Sequence, residues 1–94
     1  MRKYELVCVI QPDLDETAFN GVLDRVKGWV TESGGTVDKV DVWGKRKMAY
    51  QIHKHRDGSY VLFNLSLTPA NTTALEQNIR YTETVMRHIL TLVA

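Results

Sequence analysis

The chain has 94 residues and a formal net charge of +1, from twelve Lys or Arg against eleven Asp or Glu. That length admits one domain with one core, and a composition of 44% hydrophobic and 24% charged residues excludes a disordered chain. The apolar run near the start, Leu6 to Ile10, is too short for a signal-peptide core or a membrane span, and Cys8, the only cysteine, allows no internal disulfide and fits a reducing cytoplasm.

The first element is "KYELVCVI", a strand by its β-branched residues and alternation. Counting by twos, Leu6, Cys8 and Ile10 share one face, and Glu5, Val7 and Val9 share the other. Pro12 ends the strand, because it has no N–H for a ladder. Asp13 or Asp15 then caps a helix, with Glu16 at the positive end of its dipole. Phe19, Val22, Leu23, Val26, Trp29 and Val30 recur at intervals of three and four, which is one apolar stripe. Gly34-Gly35 stops the helix.

"TVDKVDVW" is a second strand whose alternation breaks near Val40, as a bulge would cause, and it extends through "KMAYQI" if the strand is unusually long. Asp57-Gly58 reads as a two-residue hairpin turn. "SYVLFNLSL" follows as a third strand, with Val61, Phe63, Leu65 and Leu67 on one face. Thr68-Pro69 supplies a helix cap and a first-turn proline. A short helix runs to Arg80 with Leu75 and Ile79 inward, and "TVMRHILTLV" is the last strand. The order β-α-β-β-α-β is the α+β, ferredoxin-like split βαβ arrangement: a four-stranded antiparallel sheet with two helices on one face. The other face is left for a partner, with Val7, Val9, Tyr60 and Leu62 as a continuous apolar patch on it if the first and third strands are neighbours.

Catalytic patterns are weak. Cys8 lies among apolar residues as a core thiol. His53 and His55 lack an evident third metal ligand. Asp38 and Asp41 have no pocket signal, and no glycine-rich phosphate loop appears. Acyl-phosphate hydrolases of this topology have an Arg in a glycine-containing loop after the first strand, where this chain has the acidic "QPDLDE". No enzyme activity and no cofactor are implied. The pattern of paired aromatics that marks an RNA-recognition motif is also missing from the third strand.

The remaining signal is charge. "GKRKMAYQIHKHRDG", Gly44 to Gly58, holds five Lys or Arg against one Asp, so a chain that nets +1 carries −3 outside this segment. Lys45, Arg46 and Lys47 stand beside Trp43 and Tyr50, and Lys54 and Arg56 follow. Cations neutralise phosphates with counterion release, and rings stack on exposed bases. The competing reading is a solvated hairpin whose lysines guard an edge against aggregation. Arg80 closes the second helix, where a cation also suits the dipole. Arg87 lies between Val85 and Ile89, where a buried charge is hard to sustain, so it is expected to face RNA or a partner.

"MRKYELVCVIQPDLDE", "WGKRKMAYQIHKHRDGSYVLFNLS" and "RYTETVMRHILT" together resemble the bacterial small-subunit ribosomal protein six family over essentially the whole chain. The most specific part is Gly44 followed by Arg46-Lys47-Met48-Ala49-Tyr50 and Ile52. The resemblance implies a structural component of the small ribosomal subunit, in the cytoplasm, that binds the central domain of small-subunit ribosomal RNA together with small-subunit ribosomal protein eighteen as a heterodimer. Residues matching the family pattern are Arg2, Tyr4, Gly44, Arg46, Lys47, Ala49, Tyr50, Arg80 and Arg87. Two departures are Gln51, where the family often has Pro, and an end at Ala94 without the acidic tail of some members. The expected RNA contacts are therefore Arg2, Lys45, Arg46, Lys47, Tyr50, Lys54, Arg80 and Arg87, and the expected protein contact is the patch of Val7, Val9, Tyr60 and Leu62. The alternative of a small-ligand or regulatory domain of the same topology, acting as an oligomer, requires a pocket-forming glycine loop and a self-complementary edge, neither of which is evident.

Overall fold

In a computed structural model, which describes residues 1–52 and 54–93, the elements are β1 (Arg2–Ile10), α1 (Glu16–Glu32), β2 (Thr36–Ile52), β3 (His55–Leu67), α2 (Thr72–Arg80) and β4 (Val85–Leu92), with a 3₁₀ turn at Pro69–Asn71 before α2. The four strands form one sheet in the order β2-β3-β1-β4, and every neighbouring pair is antiparallel. Asp15 is the residue that caps α1: its carboxylate accepts from the Ala18 N–H at 2.7 Å.

The period-two count of β1 and β3 describes the core. Leu6, Cys8 and Ile10 are fully buried, as are Val61, Phe63, Leu65 and Leu67, and Cys8 pairs with Val61 and Leu6 with Phe63 across the two strands. Val22, Leu23, Val26 and Val30 of α1 and Leu75 and Ile79 of α2 belong to the same cluster, with Phe19 and Trp29 partly buried at its margin. Each such aliphatic or aromatic side chain contributes about 1.5–3 kcal/mol by leaving water. On the helix side, His88 of β4 reaches Glu76 of α2 at 3.3 Å. Near the start of β2, Asp38 accepts from Ser66 at 2.7 Å and from Thr36 at 3.0 Å. These two hydroxyls hold its carboxyl below the usual carboxylate range, Ser66 most strongly.

Cys8 has the environment of a core thiol. Burial pushes its pKa from the ordinary 9.0 up to about 12, so the thiolate is withheld. The folded pKa is the higher one, so this group's stabilisation is complete below pH 9 and is lost between about 9 and 12, where only the unfolded thiol ionises. An aromatic disulfide reagent at pH 8 is expected to label the native chain only as fast as it unfolds, and the denatured chain at once. Rapid labelling of native protein would contradict the burial.

Three local expectations are corrected. Asp57-Gly58 is not the hairpin turn. It lies inside β3, paired with Lys47 and Arg46, and the reversal falls between Ile52 and His55, which pair with each other. Lys54 takes the left-handed conformation there (φ 67°), while His53 lies outside the described residues. Gly58 is small for another reason: a Cβ on it would collide with Val9 Cγ1. The interruption of β2 around Val40 is made by bulges on either side of it, more than the one expected. The register shifts between Val37 and Lys39, between Val42 and Gly44, and between Lys47 and Ile52. Thr68 precedes the proline as expected, but its side chain makes no capping hydrogen bond, and the chain enters α2 through the 3₁₀ turn.

Candidate nucleic-acid interface

Together β2 and β3 make a ribbon longer than the sheet behind it. β1 pairs with β3 only from Ser59 to Leu67, so the part of the hairpin from Lys45 to Gly58 extends to the Ile10 end of the sheet and past it. The basic segment is this extension. Lys45, Arg46, Lys47, Lys54 and Arg56 are all exposed. Lys45 and Lys47 pair with Ser59 and Asp57, and Arg46 between them pairs with Gly58 and points to the other face. The Arg46 guanidinium stands 5.8 Å from the Trp43 ring centroid, and the Trp43 indole stacks against Tyr60 at 6.4 Å with the planes 11° apart. Trp43 reaches that position because it is the extra residue of the bulge before Gly44 (φ 85°).

Arg80 and Arg87 converge on the same end. Arg80, exposed at the last turn of α2, borders a surface depression with Gln11, Thr82, Glu83, Val85 and Met86. Arg87 of β4 is also exposed, and it donates to the Tyr50 hydroxyl at 2.5 Å with its guanidinium 6.0 Å from the Tyr50 ring centroid. Arg2 stands apart. It pairs with Leu67, eight residues along β1 from Ile10, or about 26 Å at strand rise. Seven of the eight candidate RNA contacts thus share one end of the molecule, and Arg2 does not. Among the described residues no Lys or Arg side chain is in salt-bridge contact with a carboxylate; the one contact of that type joins His88 to Glu76.

Two rows of the helix-free face carry the predicted patch. Leu62, Val7 and Ile89 form one across β3, β1 and β4, and Tyr60, Val9 and Arg87 form the next. Val7, Tyr60 and Leu62 are half-buried. Val9, expected to lie open on the patch, is only 5% exposed, because the hairpin bends over it: Val9, Met48, Ala49, Tyr50, Ile52, Tyr60 and Arg87 line a partly open depression of about 130 Å³. Ile89 is 49% exposed and extends the patch. Sequence reasoning missed it, although it lies two residues from Arg87 on the same strand, which was signal enough. Arg56 was noted as a neighbour of the cluster and belongs to it; it lines a depression with Lys47, Met48, Ala49, Tyr50 and Gln51.

Among the described residues no group of three His, Cys, Asp or Glu side chains is placed to hold a metal, and no helix is long and apolar enough to cross a membrane. The chemistry on offer is a cationic, aromatic-bearing hairpin beside a partly apolar sheet face.

Comparison with known proteins agrees with that geometry. The family model described as ribosomal protein S6 matches residues 3–91. A small ribosomal subunit protein bS6 from Clostridium botulinum is 43% identical over 90 residues, 96% of each chain. One from Moorella thermoacetica is 42% identical over 91 residues, 97% of this chain and 93% of the relative. The crystal structure of 30S ribosomal protein S6 from Thermotoga maritima superposes with a TM-score of 0.92 at 31% identity, covering 98% of this chain and 87% of that one. Its basic hairpin, its split βαβ fold and these full-length similarities place the chain in the ribosomal protein S6 family of the small ribosomal subunit, a family of ribosome constituents and not of enzymes.

Proposed function

We propose that this protein binds the central domain of small-subunit ribosomal RNA through the hairpin end of its sheet, and does so together with small-subunit ribosomal protein eighteen, which docks on the helix-free face. The observation that carries the RNA assignment is the gathering of Lys45, Arg46, Lys47, Lys54, Arg56, Arg80 and Arg87 at one end of a chain that nets only +1. Clustered cations at one end of a near-neutral molecule attract a polyanion and fix its direction of approach. The protein partner is assigned to Val7, Leu62, Tyr60 and Ile89 because a half-exposed apolar surface next to a charged one suits joint binding: RNA on the charge, a protein on the carbon.

Val9 is a poor probe of that surface, since an aspartate there would be buried beneath the hairpin and would unfold it. Leu62 and Val7 are better placed. Leu62→Asp is expected to weaken capture of protein eighteen at least tenfold while the circular dichroism spectrum stays native. Undiminished capture by the folded variant would move the interface to an edge strand or to the hairpin itself. Sedimentation of lysate through a gradient provides the broader check: the protein should travel with small subunits.

A further inference from the structure

We infer that Arg87 and Tyr50 form a clasp that sets the direction of the basic hairpin, so that Arg87 acts on RNA binding as a positioning residue through Tyr50 and not by contacting phosphate. The inference rests on the RNA-binding reading above and changes the role of one residue in it. Tyr50 belongs to β2 and Arg87 to β4, the two outer strands of the order β2-β3-β1-β4. Three strand spacings separate them, about 14 Å across a flat sheet. Their side chains nevertheless meet at 2.5 Å, which requires the end of the hairpin to curl across β3 and β1. The register supplies the curl. Between Lys47 and Ile52 four residues, Met48 to Gln51, stand opposite the single Arg56 between Asp57 and His55, and extra residues on one strand bend it.

The curl has a floor as well as a fastening. Val9 is buried beneath it, and Gly58 leaves room for Val9 where any Cβ would collide. Met48 Sδ and Met86 Cε both approach the same point, 3.6 and 3.5 Å from where a Gly58 Cβ would stand. Tyr50 and Arg87 line the small depression there, together with Val9 and Met48. Opening the clasp frees a two-stranded ribbon, and isolated ribbons are marginal in water. Lys45, Arg46 and Lys47 then lose their fixed relation to Arg80 and to the sheet face. The guanidinium donates one N–H to the tyrosine hydroxyl and lies 6.0 Å from the tyrosine ring centroid, and these two contacts tie Arg87 to the hairpin.

The test uses the full chain, protein eighteen and a central-domain rRNA fragment, with affinity measured against salt. Tyr50→Phe keeps a ring for any base to stack on and removes only the bond to Arg87. Under the clasp, Tyr50→Phe and Arg87→Ala each weaken binding by about threefold to tenfold, the salt slope of log K is unchanged in both, and the double variant is no weaker than Arg87→Ala alone. Arg87→Lys, which keeps the charge but not the planar fork, behaves like Arg87→Ala. A fall in slope of about 0.7–0.9 for Arg87→Ala with Tyr50→Phe unchanged makes Arg87 a phosphate ligand and overturns the proposal, as does normal affinity in both single variants. Amide hydrogen exchange of the protein alone reads the clasp without RNA. Residues 46–51 should exchange faster in both variants while β1 and β3 keep their protection. Unchanged exchange overturns the clasp whatever the RNA does, whereas failure of the RNA-binding reading appears separately, as normal binding when Lys45, Arg46 and Lys47 are removed.

Discussion

Replacing Lys45, Arg46 and Lys47 together with alanine is expected to lower affinity for the central-domain rRNA fragment about a hundredfold at 0.1 M salt and to flatten the salt dependence of log K by about two units. The three cations are exposed and lie on the part of β2 that extends past β1. If each neutralises one phosphate, counterion release contributes about 0.7–0.9 to the slope per contact, and near 0.1 M the loss in log K is of similar size to the loss in slope. All three side chains are exposed, so the fold should tolerate the change, with melting shifted by only a few degrees. Lys45 and Lys47 project to one side of the ribbon and Arg46 to the other, beside Trp43. Single replacements are therefore expected to divide unequally. If Lys45 and Lys47 are the phosphate contacts, Arg46→Ala costs affinity mainly through loss of its stack on the indole. Equal slopes for the triple variant and the wild type would exclude this segment from the RNA surface.

What was legible in the sequence follows physical locality. The faces of β1 and β3 came from parity alone, because a strand without bulges alternates strictly and a buried face tolerates no slip; buried Leu6 opposite Phe63 and Cys8 opposite Val61 are the result. The α1 stripe was equally plain, because period and burial coincide at Val22, Leu23, Val26 and Val30. β2 resisted for the converse reason. Three register shifts reset its parity, and no local rule says where a bulge will fall. The strongest turn dipeptide in the chain, Asp57-Gly58, misled because glycine answers two different demands. Here the demand was space for Val9, a contact 49 positions away in the chain, while the reversal itself relied on Lys54. The basic cluster was legible as a composition. Its convergence with Arg87 was not, since that depends on the ribbon curling over the sheet. Arg2 shares the family pattern but stands at the far end of β1 from that cluster, a separation that sequence order alone did not reveal.

The adjacent glycines after α1 separate these two demands within one dipeptide. Gly34 has φ 84° and open space where a Cβ would go, whereas Gly35 has no such backbone requirement but stands so close to β3 that a Cβ would lie 2.5 Å from the Ser66 carbonyl oxygen, 2.6 Å from Leu67 Cδ2 and 3.2 Å from Val30 Cγ1. Gly34→Ala therefore introduces only left-handed strain, about 1–2 kcal/mol. Gly35→Ala drives a methyl into a backbone atom that is fixed by the β2–β3 ladder, where Ser66 pairs with Thr36. The side chain of Leu67 has no room to retreat, being fully buried. Relief requires moving the start of β2 away from β3 or α1 away from the sheet, and overpacking of this kind costs about 3 kcal/mol or more. For a chain of this size that corresponds to a fall in melting temperature of roughly 12–24 °C, against about 4–16 °C for Gly34→Ala. Because the Asp38 bonds to Ser66 and Thr36 sit at the same junction, the displaced strand should also release that carboxyl toward its ordinary pKa, which a titration followed by NMR would detect. Thermal unfolding of the two single variants decides the matter: equal losses, or a larger one for Gly34→Ala, would mean that α1 slides along the sheet easily enough to admit a methyl group.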